Sequence, residues 1–173
     1  MTDRFEYVSV LLSMVVALAV THLLAGIAAI IRAKVTRYSF VHLTWVGVLL
    51  FSCVDFWLSM WGLRSTEVWS LAYILYLLVL STLLYLSCYL VMPVVRAGDS
   101  IDLVAFNETN RQRYLGTYLI YCALAAVANL TVAGFADALV FNVLAVTLVG
   151  SAWVRRNARV QVVPRRQAAR KRC

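Results

Sequence analysis

The sequence predicts an all-α, polytopic membrane bundle of five transmembrane helices, with the amino terminus outside and the carboxyl terminus inside. Three observations predict it. First, 63% of the 173 residues are hydrophobic and only 14% are charged. A soluble domain holds about 45–50% apolar and about 25% charged residues, and a chain this short has too small an interior to hide the surplus. Second, the apolar residues gather in five runs, each near the roughly 20 residues that a helix needs to cross the hydrocarbon. Third, the basic residues fall on one side of those runs. The same composition excludes a disordered chain, a collagenous repeat and a disulfide scaffold. A β-barrel is excluded too, because its strands run about 10 residues and alternate in polarity.

Residues 7–31 form the first run. Ala17-Leu18-Ala19 resembles a signal-peptidase site. However, Asp3 and Glu6 offset Arg4 ahead of it, and the apolar run continues to Ile31. That is too long for a leader core, so the segment reads as a span. A short polar turn, residues 32–39, leads to the second run at 40–63. Arg64-Ser65-Thr66-Glu67 separates it from the third, residues 68–93, which ends at Pro93. Residues 94–113 are the single long connection. Asp99-Ser100 there suits the cap of a short interfacial helix with Asp102 in its first turn. Ile101, Leu103, Val104 and Phe106 give that helix an apolar side, and Glu108 precedes Arg111 by one turn. The fourth and fifth runs, 114–133 and 138–154, flank Gly134-Phe135-Ala136-Asp137. One helix through both would be about 60 Å long at 1.5 Å per residue. The hydrocarbon is about half that, so a hairpin is required. Residues 1–154 thus make a transmembrane domain, and 155–173 a basic tail.

The chain carries 16 Lys and Arg against 8 Asp and Glu, a net charge of +8. With five spans and the tail inside, Arg32, Lys34, Arg37, Arg96, Arg111, Arg113 and the eight basic residues of the tail all face the cytoplasm. Only Arg4 and Arg64 remain outside. This asymmetry is the positive-inside signature, and it requires an odd number of spans. The tail residues Arg155, Arg156, Arg165, Arg166, Arg170, Lys171 and Arg172 suit anionic lipid headgroups, at about 1 kcal/mol each. Nucleic acid is not expected, since the tail lacks aromatics for base stacking.

Phe5-Glu6-Tyr7-Val8-Ser9-Val10, Thr21-His22-Leu23-Leu24, the Trp-rich second span and Asp102-Leu103…Asn107…Arg111…Arg113-Tyr114 form a further pattern. It resembles a group of uncharacterised small multi-pass bacterial membrane proteins, over the first two-thirds of the chain. The resemblance implies a bacterial inner membrane and no particular activity.

Polar groups inside the spans are the candidates for function. Asp55 lies within the second span, where a carboxylate costs about 2.5–3.5 kcal/mol on insertion scales and normally faces protein or water. Thr44, Val48, Ser52, Asp55, Ser59 and Gly62 follow helical spacing and predict one small, polar stripe. Such a stripe suits close helix packing or a water-lined crevice. His22 lies mid-span in the first helix, on a face with Ala19, Gly26, Ala29 and Ala33. At 1.5 Å of rise per residue, His22 and Asp55 differ in depth by about 6 Å, within reach of a proton-responsive pair. A satisfied core histidine and an Asp that only joins helices are the competing readings. His42 falls at the inner end of the second span, well round from Asp55, and suits an interfacial role. His22 and His42 differ in depth by more than about 10 Å, which fits haem ligation poorly.

Asn129 and Asn142 stand equally far from the expected hairpin and suit an interhelical hydrogen bond. Trp57, Trp61, Trp69 and Tyr73 suit an outer aromatic belt, and Tyr38, Tyr89, Tyr114 and Trp153 an inner one. Ser81, Tyr85, Cys88 and Tyr89 share a face of the third span. Cys53, Cys88 and Cys122 sit singly on three helices, as buried free thiols, and Cys173 is terminal without a prenylation motif. No phosphate-binding loop, nucleophile elbow or zinc-protease motif occurs, and no metal or cofactor is expected. Two functions follow. The favoured one is a non-enzymatic scaffold, sensor or accessory subunit with a membrane-protein partner or a second copy. The alternative is a proton- or ion-linked small transporter or channel that uses Asp55 and His22, with Ser52 and Ser59 lining its path. A lipid-modifying enzyme would need ionisable groups clustered at one interface, and the sequence offers none.

Overall fold

The computed structural model describes residues 2–65, 69–95 and 100–129. Among them the chain is mainly helical. Helix α1 spans Thr2–Arg32, strand β1 Lys34–Arg37 and helix α2 Phe40–Ser59, which a 3-10 helix, Met60–Ser65, extends. Helix α3 spans Leu71–Val91, strand β2 Ser100–Asp102 and helix α4 Leu103–Ala128. Two compact units divide the chain, Met1–Tyr121 and Cys122–Cys173. The first contains the buried seam and the strand pair described below. Of the second, the described residues are the end of α4 and Asn129.

Three helical segments, Phe5–Arg32, Phe40–Arg64 and Leu71–Val91, are long and apolar enough to cross a membrane. They match the first three expected spans and fit an integral membrane protein. Helix formation is what that solvent imposes, because a peptide group in hydrocarbon must find its partner in its own segment. Capping sets the starts. Ser39 Oγ accepts from His42 N–H, and Ser70 Oγ accepts from Tyr73 N–H. At the end of α3, Met92 is extended (φ −88°, ψ 131°), as the residue before a proline prefers.

The fourth expected span, 114–133, is helical as far as it is described, and residues 130–133 lie outside the described residues. Its helix starts earlier than expected: the short helix expected after Asp99-Ser100 and the helix expected from 114 are one continuous helix from Leu103. The polar run from Glu108 to Arg113 concealed it. Leu103, Asn107 and Tyr114 are buried while Glu108, Thr109, Gln112 and Arg113 are exposed, so the run is the wet side of an amphipathic helix. The proposed cap moves as well. Ser100–Asp102 is a strand, and Asp102 itself caps α4, its Oδ1 accepting from Val104 N–H (2.9 Å) and Ala105 N–H (3.1 Å). The fifth span, the hairpin before it and the basic tail lie outside the described residues.

The turn at 32–39 also holds more order than its polarity suggested. Strands β1 and β2 pair in parallel, with Lys34 opposite Ser100 and Val35 opposite Ile101. Thr36 Oγ1 donates to the Ile101 carbonyl across 65 positions of chain. Arg37 reaches Asp102 at 3.9 Å.

The helices repeat the same relation. Phe5 packs near Trp69, His22 against Tyr89, and Gly26 against Met92. Helices α1 and α3 therefore run parallel. Their buried positions correspond: Leu12, Val16, Ala19 and Leu23 on one, Leu77, Ser81, Leu84 and Cys88 on the other. His42 meets Phe106, and Ser52 meets Tyr118 across 66 positions, so α2 and α4 also run parallel. The architecture is a helix–strand–helix unit used twice in the same sense, with α1 and α3 packed against each other along the centre.

The segment after α3 comes close to α1 at Gly26. A Cβ there would stand 2.6 Å from Met92 Sδ and 3.2 Å from Met92 Cβ. Gly26→Val is expected to cost about 1–3 kcal/mol through overpacking, and Met92→Ala should restore part of that loss. Thermal unfolding in mild detergent measures both. At the strand pair, Asp102→Ala should cost about 1 kcal/mol by uncapping α4. Arg37→Ala removes only an exposed ion pair, worth about 0–1 kcal/mol. Asp102→Asn, which keeps a capping oxygen, should stay near the parent in the same assay.

Candidate functional site

A buried polar seam runs between α2 and α4 and continues to α3. It begins at the α2 cap. His42 is wholly buried, with its ring edge-on to Phe106 at 5.7 Å. Both ring nitrogens are buried, with no hydrogen-bond partner among the described residues. The interfacial placement expected from sequence is thus corrected. His42 shares its side of α2 with Val46, Leu49, Cys53 and Phe56, which are all buried, and that shared face carries it inward.

One turn further, Trp45 lies between the rings of Tyr114 and Tyr118, each centroid 6.4 Å away. Tyr114 Oη donates to Asn107 Oδ1 at 2.6 Å. Both residues are buried, so an inner-belt role for Tyr114 is also corrected: its hydroxyl finds a protein acceptor two turns back on its own helix. Tyr118 Oη lies 2.7 Å from Ser52 Oγ. Ser52 has one hydroxyl proton, and that proton goes to the Val48 carbonyl at 2.9 Å. The Tyr118 hydroxyl therefore donates to Ser52. Beside it, Cys53 Sγ meets Cys88 Sγ of α3 at 3.7 Å. These two cysteines are buried free thiols on separate helices, as expected, and their side chains are in contact.

The expected stripe on α2 divides. Ser52 turns inward, whereas Thr44, Asp55, Ser59 and Gly62 are exposed. Thr44 and Ser59 return their hydroxyl protons to backbone carbonyls of their own helix, at Phe40 and Phe56. Asp55 has no hydrogen bond or ion pair among the described residues. Two turns nearer the start of α2, exposed Gly47 has open space where a Cβ would stand.

His22 is not brought to Asp55. It is half-buried and stacks on Tyr89 of α3, 4.7 Å between centroids and 25° between planes. The small-residue face around it does pack: Ala19 is buried, and Gly26 meets Met92. Among the other expected groups, Trp57 and Trp61 are ring neighbours, as are Trp69 and Tyr73. Asn129 is half-buried at the end of α4. Its expected partner Asn142, and Arg155, Arg156, Arg165, Arg166, Arg170, Lys171 and Arg172, lie outside the described residues.

Chemically, the seam is neutral. Its hydroxyl pair joins two helices, with no carboxylate or imidazole hydrogen-bonded to Ser52 to activate it. No cluster of three or more metal-ligating side chains occurs among the described residues. The sequence singled out Ser52 and placed Tyr114 in a belt, but gave no role to Tyr118 or Asn107. A signal was present: Leu103, Asn107, Tyr114 and Tyr118 keep one helical face. No family model, curated protein or solved structure matches the chain.

Tyr118→Phe and Ser52→Ala should each lower stability, by about 0.6–1.7 kcal/mol for the shared hydrogen bond. In a double-mutant cycle their losses should be less than additive, since both remove one interaction. Additive losses in detergent unfolding would show that the pair does not couple α2 to α4.

Proposed function

We propose that this protein is a non-enzymatic scaffold or accessory subunit of the bacterial inner membrane, inserted amino terminus outside and carboxyl terminus inside, which docks a partner helix on the outer face of α2. The observation that carries this reading is Asp55. It lies about 22 Å along α2 from Phe40, at 1.5 Å per residue, and it is exposed on the flank of a helix apolar enough to span. Left in lipid, the carboxylate is costly, and such groups ordinarily meet a polar partner. On the exposed side of the same helix, Thr44, Gly47, Ser59 and Gly62 supply small positions, and Phe51 and Leu58, one turn either side of Asp55, supply apolar contact for a second helix.

The exposed Arg32, Lys34 and Arg37 beside β1 support the inward placement of the strand pair, and the basic tail adds attraction to anionic lipid on the same side. The transport alternative draws on a His22–Asp55 pair, whereas His22 stacks on Tyr89.

Photo-crosslinking in native membranes tests the proposal. A photoreactive residue at Leu58, exposed beside Asp55, should give one defined adduct. Asp55→Leu should reduce that adduct about tenfold or more while leaving the unfolding midpoint unchanged. An adduct insensitive to Asp55→Leu overturns the docking reading. Proton flux in vesicles that is abolished by Asp55→Asn would replace it with the transport alternative.

A further inference from the structure

The seam ends in two buried thiols in contact. Cys53 and Cys88 are both 0% exposed, yet their sulfurs approach to 3.7 Å across the α2–α3 contact. No third metal-ligating side chain joins them among the described residues. Helices α2 and α3 pack against each other, and the two sulfurs meet across that contact. A disulfide requires sulfurs about 2.05 Å apart. Closing the gap takes about 1.6 Å, which side-chain rotation at two cysteines divides.

We propose that Cys53 and Cys88 form an intramembrane redox pair, closing to a disulfide between α2 and α3 when a lipid-soluble quinone accepts their electrons. The step balances. Both S–H bonds break and one S–S bond forms. Two electrons and two protons pass to the quinone, which becomes the hydroquinone. The oxidant class follows from location, because the pair lies inside helices that are long and apolar enough to span, where water-soluble oxidants do not partition and a quinone does. The thiols are enclosed by protein, so reaction occurs during brief separation of α2 from α3 and the new bond then holds the closed arrangement. The consequence is a covalent tie between residues 35 positions apart, which fixes α2, the helix that carries Asp55, against α3.

The test uses the full chain in lipid vesicles with Cys122→Ser and Cys173→Ser, leaving Cys53 and Cys88 as the only thiols. A ring-substituted ubiquinone analogue, which cannot add thiols to its ring, is the oxidant. After denaturation in detergent, a polymer-linked maleimide counts free thiols on the monomer. The reduced chain should take two labels, the oxidised monomer none, and a reductant should restore both. Cys53→Ser and Cys88→Ser should each keep their remaining thiol after the same oxidation. If either variant fails to insert, mass spectrometry of the oxidised native chain replaces the comparison, by detecting the peptide pair joined through Cys53 and Cys88. Two labels persisting after quinone and again after iodine overturn the proposal. So does thiol loss that appears only in disulfide-linked dimers.

Discussion

Parallel packing of α1 on α3 governs the rest of this structure. Two helices can run parallel and adjacent only if the chain between them returns to its starting side, and here α2 makes that return. Once α1 and α3 lie side by side, the segments that follow them leave from neighbouring points in the same direction. β1 and β2 then pair as parallel strands, and the helices that start after them, α2 and α4, share a heading. Gly26 against Met92 brings the segment after α3 close to α1. The strand ladder closes the arrangement at its polar end, where backbone groups beyond the helices would otherwise depend on water.

Aromatic side chains make the second kind of contact. Around the centre, small residues allow the α1–α3 approach, whereas Trp45, Tyr114 and Tyr118 fill the space between α2 and α4. Each tyrosine combines a large apolar ring with a hydroxyl that needs a partner when buried. Asn107 and Ser52 supply those partners. The interface is therefore held by shape and by one directed bond across it, Tyr118 to Ser52, while the Asn107 bond satisfies Tyr114 within α4. A helix with a wet side can belong to such an interface, because only one of its faces must be apolar.

Much of this was legible in the sequence. Three spans and the break before Pro93 follow from apolar run length and local chemistry. What escaped it was rotational and long-range. Counting 3.6 residues per turn groups Ser52 with Asp55, but the buried direction of α2 is fixed by its neighbours, and it passes between them. His42 and Asp55 therefore exchanged their expected surroundings. β1 was illegible for a different reason: a four-residue strand has no periodicity to detect, and its partner lies far along the chain. Cys53 and Cys88 show the same limit, since no local spacing encodes a contact between helices.

Synthesis gives the strand pair a further meaning. β1 leaves the ribosome well before β2, separated by the 65 positions that their contacts span. At about 5–20 residues per second, β1 waits roughly 3–13 s for its partner. An unpaired strand edge invites association with other chains, and charged side chains are a common protection. Lys34 and Arg37, exposed on β1, meet that need during the interval. Arg37 then takes Asp102 as its partner once the second strand arrives, so a residue that guards the nascent chain becomes part of the finished joint.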